Sequence, residues 1–297
     1  MSLRINSNIA AMNAYRNLAS TDKQMKGSLE KLSSGLRINR AADDAAGLSI
    51  SQGLQSQIGG LQVAARNAQD GINVVQTADG ALNETGTILQ RMRDLAVQAS
   101  NTGSQDSGAT SAAQTEFNQL NQELDRIAQT TKFGSQSLLD VTSGAYVGTF
   151  QVDSGTGNGS TITVDLSSTG ALNAASLTTV SGGTKITGFD SAGLQTGALD
   201  LTTNAGAKSA IDQLDTSIAN VSTVRANLGA YQNRFDHTIN NLNVAIENLS
   251  ASKSAITDTD MAQEMTNFTK AQILQQAGTA MLAQANQAPQ GVLKLLG

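Results

Sequence analysis

The chain has 297 residues, 19 Lys and Arg against 24 Asp and Glu, and a net charge of −5. It has no Cys, no Trp, one His, one Pro and few aromatic residues. These counts exclude a disulfide framework, a thiolate nucleophile or metal site, and a His-cluster metal centre. No apolar run approaches the roughly 18 residues of a spanning helix, so no membrane is expected. Scarce large side chains argue against one wide core and favour long, narrow helical packing, in which Ala and Leu fill thin seams.

Residues 1–40 carry seven Lys/Arg and two Asp/Glu, whereas the other 257 carry twelve and twenty-two. The basic residues are singly spaced and lack interleaved aromatics beyond Tyr15, so nucleic acid is not expected as a partner. Polar residues interrupt the segment where a secretory signal needs an apolar stretch, so it does not read as a cleavable signal peptide. Instead Ile5, Ile9, Met12, Leu18, Met25, Leu29, Leu32 and Leu36 form an amphipathic helical pattern. Asp43 and Asp44 then read as helix N-cap chemistry rather than a catalytic pair, because consecutive helical side chains do not face one another.

From Leu54, every seventh residue is apolar through Leu61, Ala68, Val75, Leu82, Leu89 and Ala96. This stride predicts a long helix packed along a shared axis. Arg91, Arg93 and Asp94 form a charged cluster on it, read as a solvated face or a contact surface for another subunit. Phe117, Leu120, Leu124 and Ile127 predict a shorter helix over about 110–129.

Residues 134–206 hold thirteen of the 28 Gly and only six charged residues. Alternating runs at 146–152 and 161–166 flank Gly155, Gly157 and Gly159, which predicts a β-hairpin. A phosphate loop is excluded because a strand-like run, not a helix, follows the glycines. The Ser/Thr-rich middle is a candidate for O-glycosylation.

A second seven-residue stride runs through Leu214, Val221, Leu228, Phe235, Leu242, Leu249 and Ile256, with Ile211, Ile218, Ile239 and Ile246 beside it. A helix over 211–256 would be roughly 68 Å long. Arg225, Gln232 and Lys253 interrupt the second seam, which suggests uneven neighbours in a bundle. His237, the lone His, reads as a surface residue. The two helical halves should pair antiparallel around the β segment. The chain closes on Met261, Met265, Phe268, Ile273, Leu274, Met281 and Leu282, then Val292, Leu293, Leu295 and Leu296. The two terminal stripes, paired only with each other, would leave apolar surface uncovered. Periodicity therefore points to oligomerisation through both termini.

Longer motifs carry a resemblance. Ser33-Ser34-Gly35-Leu36-Arg37-Ile38-Asn39 followed by Ala42-Asp43-Asp44-Ala45-Ala46-Gly47 resembles the N-terminal signature of bacterial flagellins, as does Gln90 to Gln98. Ala271 to Thr279, Leu282 to Gln287 and Val292 to Leu296 resemble the other end of that family. The resemblance implies a mainly α fold with a small β region. Long antiparallel heptad helices would form a rod, terminal coiled-coil segments an inner core, and the middle β-hairpins. It implies an inner-core domain from 1–42 and 258–297, which orders on assembly; a rod domain from 43–140 and 205–257; and a short β segment, 141–204. The terminal apolar residues would then serve self-assembly, and Arg91, Leu95 and Glu116 would form a surface shared by subunit contacts and an innate-immune Toll-like receptor.

The implied function is that of a non-enzymatic subunit of the extracellular flagellar filament, exported unfolded by the type III apparatus. Its partners would be further copies of itself, an export chaperone at the C-terminal segment, and filament cap and hook-junction proteins. No cofactor, metal, nucleic acid or membrane is implied. A hook–filament junction protein of the same family is the nearest alternative. A secreted enzyme or adhesin on a helical scaffold is the alternative of another class.

Overall fold

The computed structural model describes residues 8–139 apart from 102, 104 and 105, residues 146–166 apart from 158, residues 194 and 196, and residues 199–296, with side chains as far as 287. In chain order the elements are α1 (Ile9–Ser34), α2 (Ala45–Ala99), α3 (Ser107–Thr130), β1 (Lys132–Phe133), β2 (Gln136–Ser137), β3 (Val147–Gln151), β4 (Thr161–Asp165), α4 (Asn204–Thr257) and α5 (Met261–Leu296). Among the described residues the chain is mainly helical, with two small antiparallel sheets, of which the periodicities predict the β3–β4 hairpin. It divides into two compact units, 59–246 and 1–58 with 247–297.

Within 59–246 the two heptad seams meet. Ala68, Val75, Leu82, Leu89 and Ala96 of α2 join Leu214, Val221, Leu228 and Phe235 of α4 in one buried cluster. The helices run antiparallel: Asp79 pairs with Arg225 at 2.8 Å, and further along α2 Arg93 pairs with Asp215, earlier on α4, at 2.5 Å. Arg225, a seam breaker by sequence, is thus matched by a carboxylate on the facing helix. Helix α3 lays Phe117, Leu124 and Ala128 into the same cluster. Its N-cap is Asp106, whose Oδ1 accepts from the Ala109 N–H at 2.7 Å and satisfies a donor that lacks an intrahelical partner.

The hairpin β3–β4 pairs Val147 with Asp165 through to Gln151 with Thr161. Ile162 and Val164 turn inward while Thr161 and Thr163 face out, the period of two expected of a half-buried strand. Phe150 meets Phe235 edge to face at 5.6 Å. At the tip of that ring, α2 approaches through Gly71, where a Cβ would lie 2.6 Å from Phe235 Cζ. Phe235 therefore locks α2, α4 and the hairpin together. A two-residue ladder, β1–β2, turning at Gly134 with φ of 61°, lies beyond α3 and was not signalled by alternation in the sequence.

The Phe235→Ala variant would lose a fully buried ring wedged between three elements. It is expected to lower unfolding stability by roughly 3–5 kcal/mol, read as a lower midpoint in urea or guanidinium titration.

Candidate functional site

The unit 1–58 with 247–297 is built on α1 and α5. The side chain of Asn8 caps α1, its Oδ1 accepting from the Ala11 N–H at 3.0 Å while its Nδ2 donates to the Ala285 carbonyl at 2.7 Å. Gly35, in the left-handed region at φ of 73°, ends the helix and donates its N–H to Lys31. The Asp260 carboxylate accepts from the Ala262 and Gln263 N–H groups at the start of α5.

Covered positions on α1 include Ala11, Ala14, Leu18, Thr21, Met25, Ser28 and Leu32, in alternating steps of three and four, with Asp22, Gly27, Glu30 and Lys31 partly covered beside them. On α5 they are Glu264, Phe268, Ala271, Gln275, Gly278, Leu282 and Ala285, on the same stride. This is a heptad seam between two antiparallel helices. Most of it is small or polar, and Leu18, Met25, Leu32, Phe268 and Leu282 are only half-buried.

Other large apolar side chains lie off the seam. Ile9, Met12, Tyr15 and Leu29 of α1 are exposed, as are Met261, Met265, Ile273, Leu274 and Met281 of α5, with Met281 at 67%. The seventeen terminal residues read from sequence therefore split into two sets. Leu18, Met25, Leu32, Leu36, Phe268 and Leu282 are partly covered within the chain, whereas Ile9, Met12, Leu29, Met265, Ile273, Leu274 and Met281 face outward. Ile5 and the side chains of Val292, Leu295 and Leu296 lie outside the described residues. Met261, part of the C-terminal amphipathic pattern, and Tyr15, which the sequence marked only as a lone aromatic, join the outward set.

The segment joining α1 to α2 is held by carboxylates. Asp44 is the N-cap of α2, its Oδ1 accepting from the Gly47 N–H at 2.9 Å. Asp43 instead accepts from the Arg40 and Asn39 N–H groups, at 2.9 and 3.1 Å, and these hydrogen bonds hold its carboxyl below the usual aspartate value. Asp258, between α4 and α5, is likewise lowered by hydrogen bonds from Ser254 and Thr257.

On the first long helix, Arg91 pairs with Glu116 of α3 at 2.7 Å, and both remain solvent-accessible. Leu95 departs from the expected surface. It is 3% exposed, because it sits three residues beyond buried Met92 and so falls on the covered side of α2. Arg91 and Glu116 form a surface pair; Leu95 belongs to the core beneath it. His237 is exposed on α4. Among the described residues no group of three His, Cys, Asp or Glu is arranged to hold a metal, and no helix is long and apolar enough to cross a membrane.

Residues 5–143 match the bacterial flagellin N-terminal helical region, and residues 211–296 match the bacterial flagellin C-terminal helical region. The chain belongs to the bacterial flagellins. It is 49% identical to a flagellin of Halalkalibacterium halodurans over 98% of this chain and 99% of that one. It is 46% identical to a flagellin of Bacillus subtilis over 99% of this chain and all of that one. A solved structure described as a flagellar hook-associated protein of Vibrio parahaemolyticus shares the fold at a TM-score of 0.55 and 15% identity, over 73% of this chain and 100% of that one. Like other flagellins, this one is a structural subunit rather than an enzyme, and it polymerises into the extracellular flagellar filament.

Asp43 and Asp258 give the segments around the terminal pair an acid sensitivity. A carboxyl lowered in the folded state adds stability above its unfolded pKa, and that stability is lost as pH falls through the folded value. Both groups start from 3.8 and are shifted down, so the loss begins near that pH and deepens below it. Asp258→Asn should flatten the decline of helical signal with acid below about pH 4, measured by circular dichroism against the parent chain.

Proposed function

We propose that the outward faces of α1 and α5 drive polymerisation of this flagellin. The single observation that carries this reading is the apolar surface that the intrachain seam leaves uncovered. Half of the seam is Ala, Gly, Ser or Thr, and its large members Leu18, Met25, Leu32, Phe268 and Leu282 are only half-buried, while Ile9, Met12, Leu29, Ile273 and Met281 face solvent. Exposed apolar stripes along both helices are favourable to bury against further copies. A repeated head-to-tail contact that does not close makes a helical filament. Ordering the terminal helices costs conformational entropy, which burial of the stripes offsets.

The remaining partners follow from membership of the family. Export runs unfolded through the flagellar type III apparatus. An export chaperone covers the apolar stripe of α5 before assembly. Cap and hook-junction proteins meet the filament at its two ends. The accessible Arg91–Glu116 pair is the part of the expected receptor surface that remains available in the free chain. Subunit packing covers this surface, so free chain, and not filament, stimulates the Toll-like receptor.

Seeded polymerisation tests the assembly reading. Purified chain is added to short filament seeds beside a chain lacking 258–297 and a double variant carrying Ile273→Ser and Met281→Ser. By electron microscopy only the parent chain should elongate the seeds efficiently. Elongation by the double variant at the parent rate would sink the outward-face reading, and a parent chain that caps seeds without extending them would favour a junction protein. For the receptor, Arg91→Ala should reduce signalling by the free chain at least several-fold in a reporter-cell titration, since it removes the charge and leaves Glu116 unpaired.

A further inference from the structure

We propose that Arg37 is a positioning residue for assembly: its clasp on the end of α4 sets the register in which α1 lies on α5. This rests on the reading of the terminal helices as the polymerising elements. Beyond Gly35 the two connecting segments run antiparallel. The Arg37 N–H donates to the Thr257 carbonyl at 2.7 Å, the Thr259 N–H donates to the Gly35 carbonyl at 2.9 Å, and Leu36 bridges Asp258 between them. Backbone contacts of this kind do not by themselves select a register, because any residue supplies the same donor and acceptor.

The Arg37 side chain removes that ambiguity. Its Nη2 donates to the Ile256 carbonyl at 2.6 Å. Ile256 lies in the last turn of α4, where carbonyls lack intrahelical donors and carry the negative end of the helix dipole. A cation there gains a hydrogen bond and a charge–dipole attraction that a slipped pairing would forfeit. The chain just beyond Arg37 is also tied back, because Glu30 Oε1 accepts from Asn39 Nδ2 and Arg40 Nε, each at 2.8 Å.

Antiparallel helices rise equally per residue, so an offset fixed at one end is kept along the pair. Leu18 lies eighteen residues before Leu36, and Gly278 lies twenty after Asp258; a Cβ on Gly278 would stand 3.8 Å from the Leu18 Cβ. A slip by one turn would set Leu18 against Leu282 instead of Gly278 and crowd two large side chains where one now meets none.

The absence of Cys makes the register readable by disulfide trapping. The Leu18–Gly278 spacing falls inside the Cβ–Cβ range of a disulfide. Full-length chains carrying Leu18→Cys with Gly278→Cys, or Leu18→Cys with Leu282→Cys, are oxidised in the presence of seeds, in parent, Arg37→Gln and Arg37→Lys backgrounds. The parent should favour the first cross-link. Arg37→Gln should lower the ratio of first to second by about three-fold or more and slow elongation. Arg37→Lys should restore most of both, since an ammonium still serves the helix C-terminus. An unchanged ratio in Arg37→Gln overturns the proposal, and so does a lowered ratio with elongation at the parent rate. The ratio is read whether or not a chain elongates. Failure here is therefore distinct from failure of the outward-face reading, which the Ile273→Ser and Met281→Ser variant reports alone.

Discussion

A pair of antiparallel helices can cover only one stripe on each member, and α1 and α5 carry more apolar surface than one stripe. In the unit 59–246 the same arithmetic is resolved within the chain, because α2 meets α4 on one side while α3 and the hairpin cover others. Leu89, Met92 and Leu95 are buried there together with Phe117 and Leu124. Among the described residues α1 packs mainly on α5. Its Ile9 and Tyr15, and Met265 and Ile273 of α5, are left to solvent. What separates the two units is the number of helical neighbours, not the hydrophobicity of their helices. Under the proposed function, further copies in the filament would supply the missing neighbours.

The inner seam is fitted to that division. Ala11, Ala14 and Gly278 allow close approach but bury little apolar area, while Thr21, Ser28, Glu264 and Gln275 bring polar groups to a half-covered stripe. Fully burying one large aliphatic side chain is worth about 1.5–3 kcal/mol, and the seam holds few of them. Such a seam specifies which faces meet without making the pair strong. Much of the apolar surface of the pair is left unburied within the chain, which fits the proposal that other copies cover it.

The long helices were legible because a seven-residue stride over six repeats has no other physical reading, and each stride residue from Leu61 to Ala96 is buried. The hairpin was legible from alternation and glycine punctuation. The sorting of terminal residues was not. Leu18 and Met12 are both apolar and both on a helix, and only the position of the partner helix decides which is covered. The small residues that form the seam, such as Ala14 and Gly278, carry no hydrophobic signal of their own. The family resemblance alone puts Leu95 on a surface; it is buried, and its spacing from Leu89 and Met92 was the available clue to the covered side of α2. Arg225 and Lys253 looked like flaws in a seam; their partners, Asp79 and Gln55, are far away in sequence and invisible to a periodicity argument.

The same limit applies where the middle of the chain returns to the helices. Gln114 on α3 donates to the Leu199 carbonyl at 3.2 Å and accepts from the Leu201 N–H at 2.6 Å. Asn121 donates to the Thr196 carbonyl, and Ser217 of α4 donates to the Leu194 carbonyl. Each bond is made to backbone, which every sequence offers, while Leu194 and Leu201 fill the space beneath. Buried backbone groups must find partners, and here side chains of the helices supply them in place of a sheet. The helices thus grip the returning chain twice over, through backbone groups that any sequence offers and through Leu194 and Leu201, which join the core of α2, α3 and α4. Neither anchor repeats at a helical or strand period, so no periodicity argument finds them.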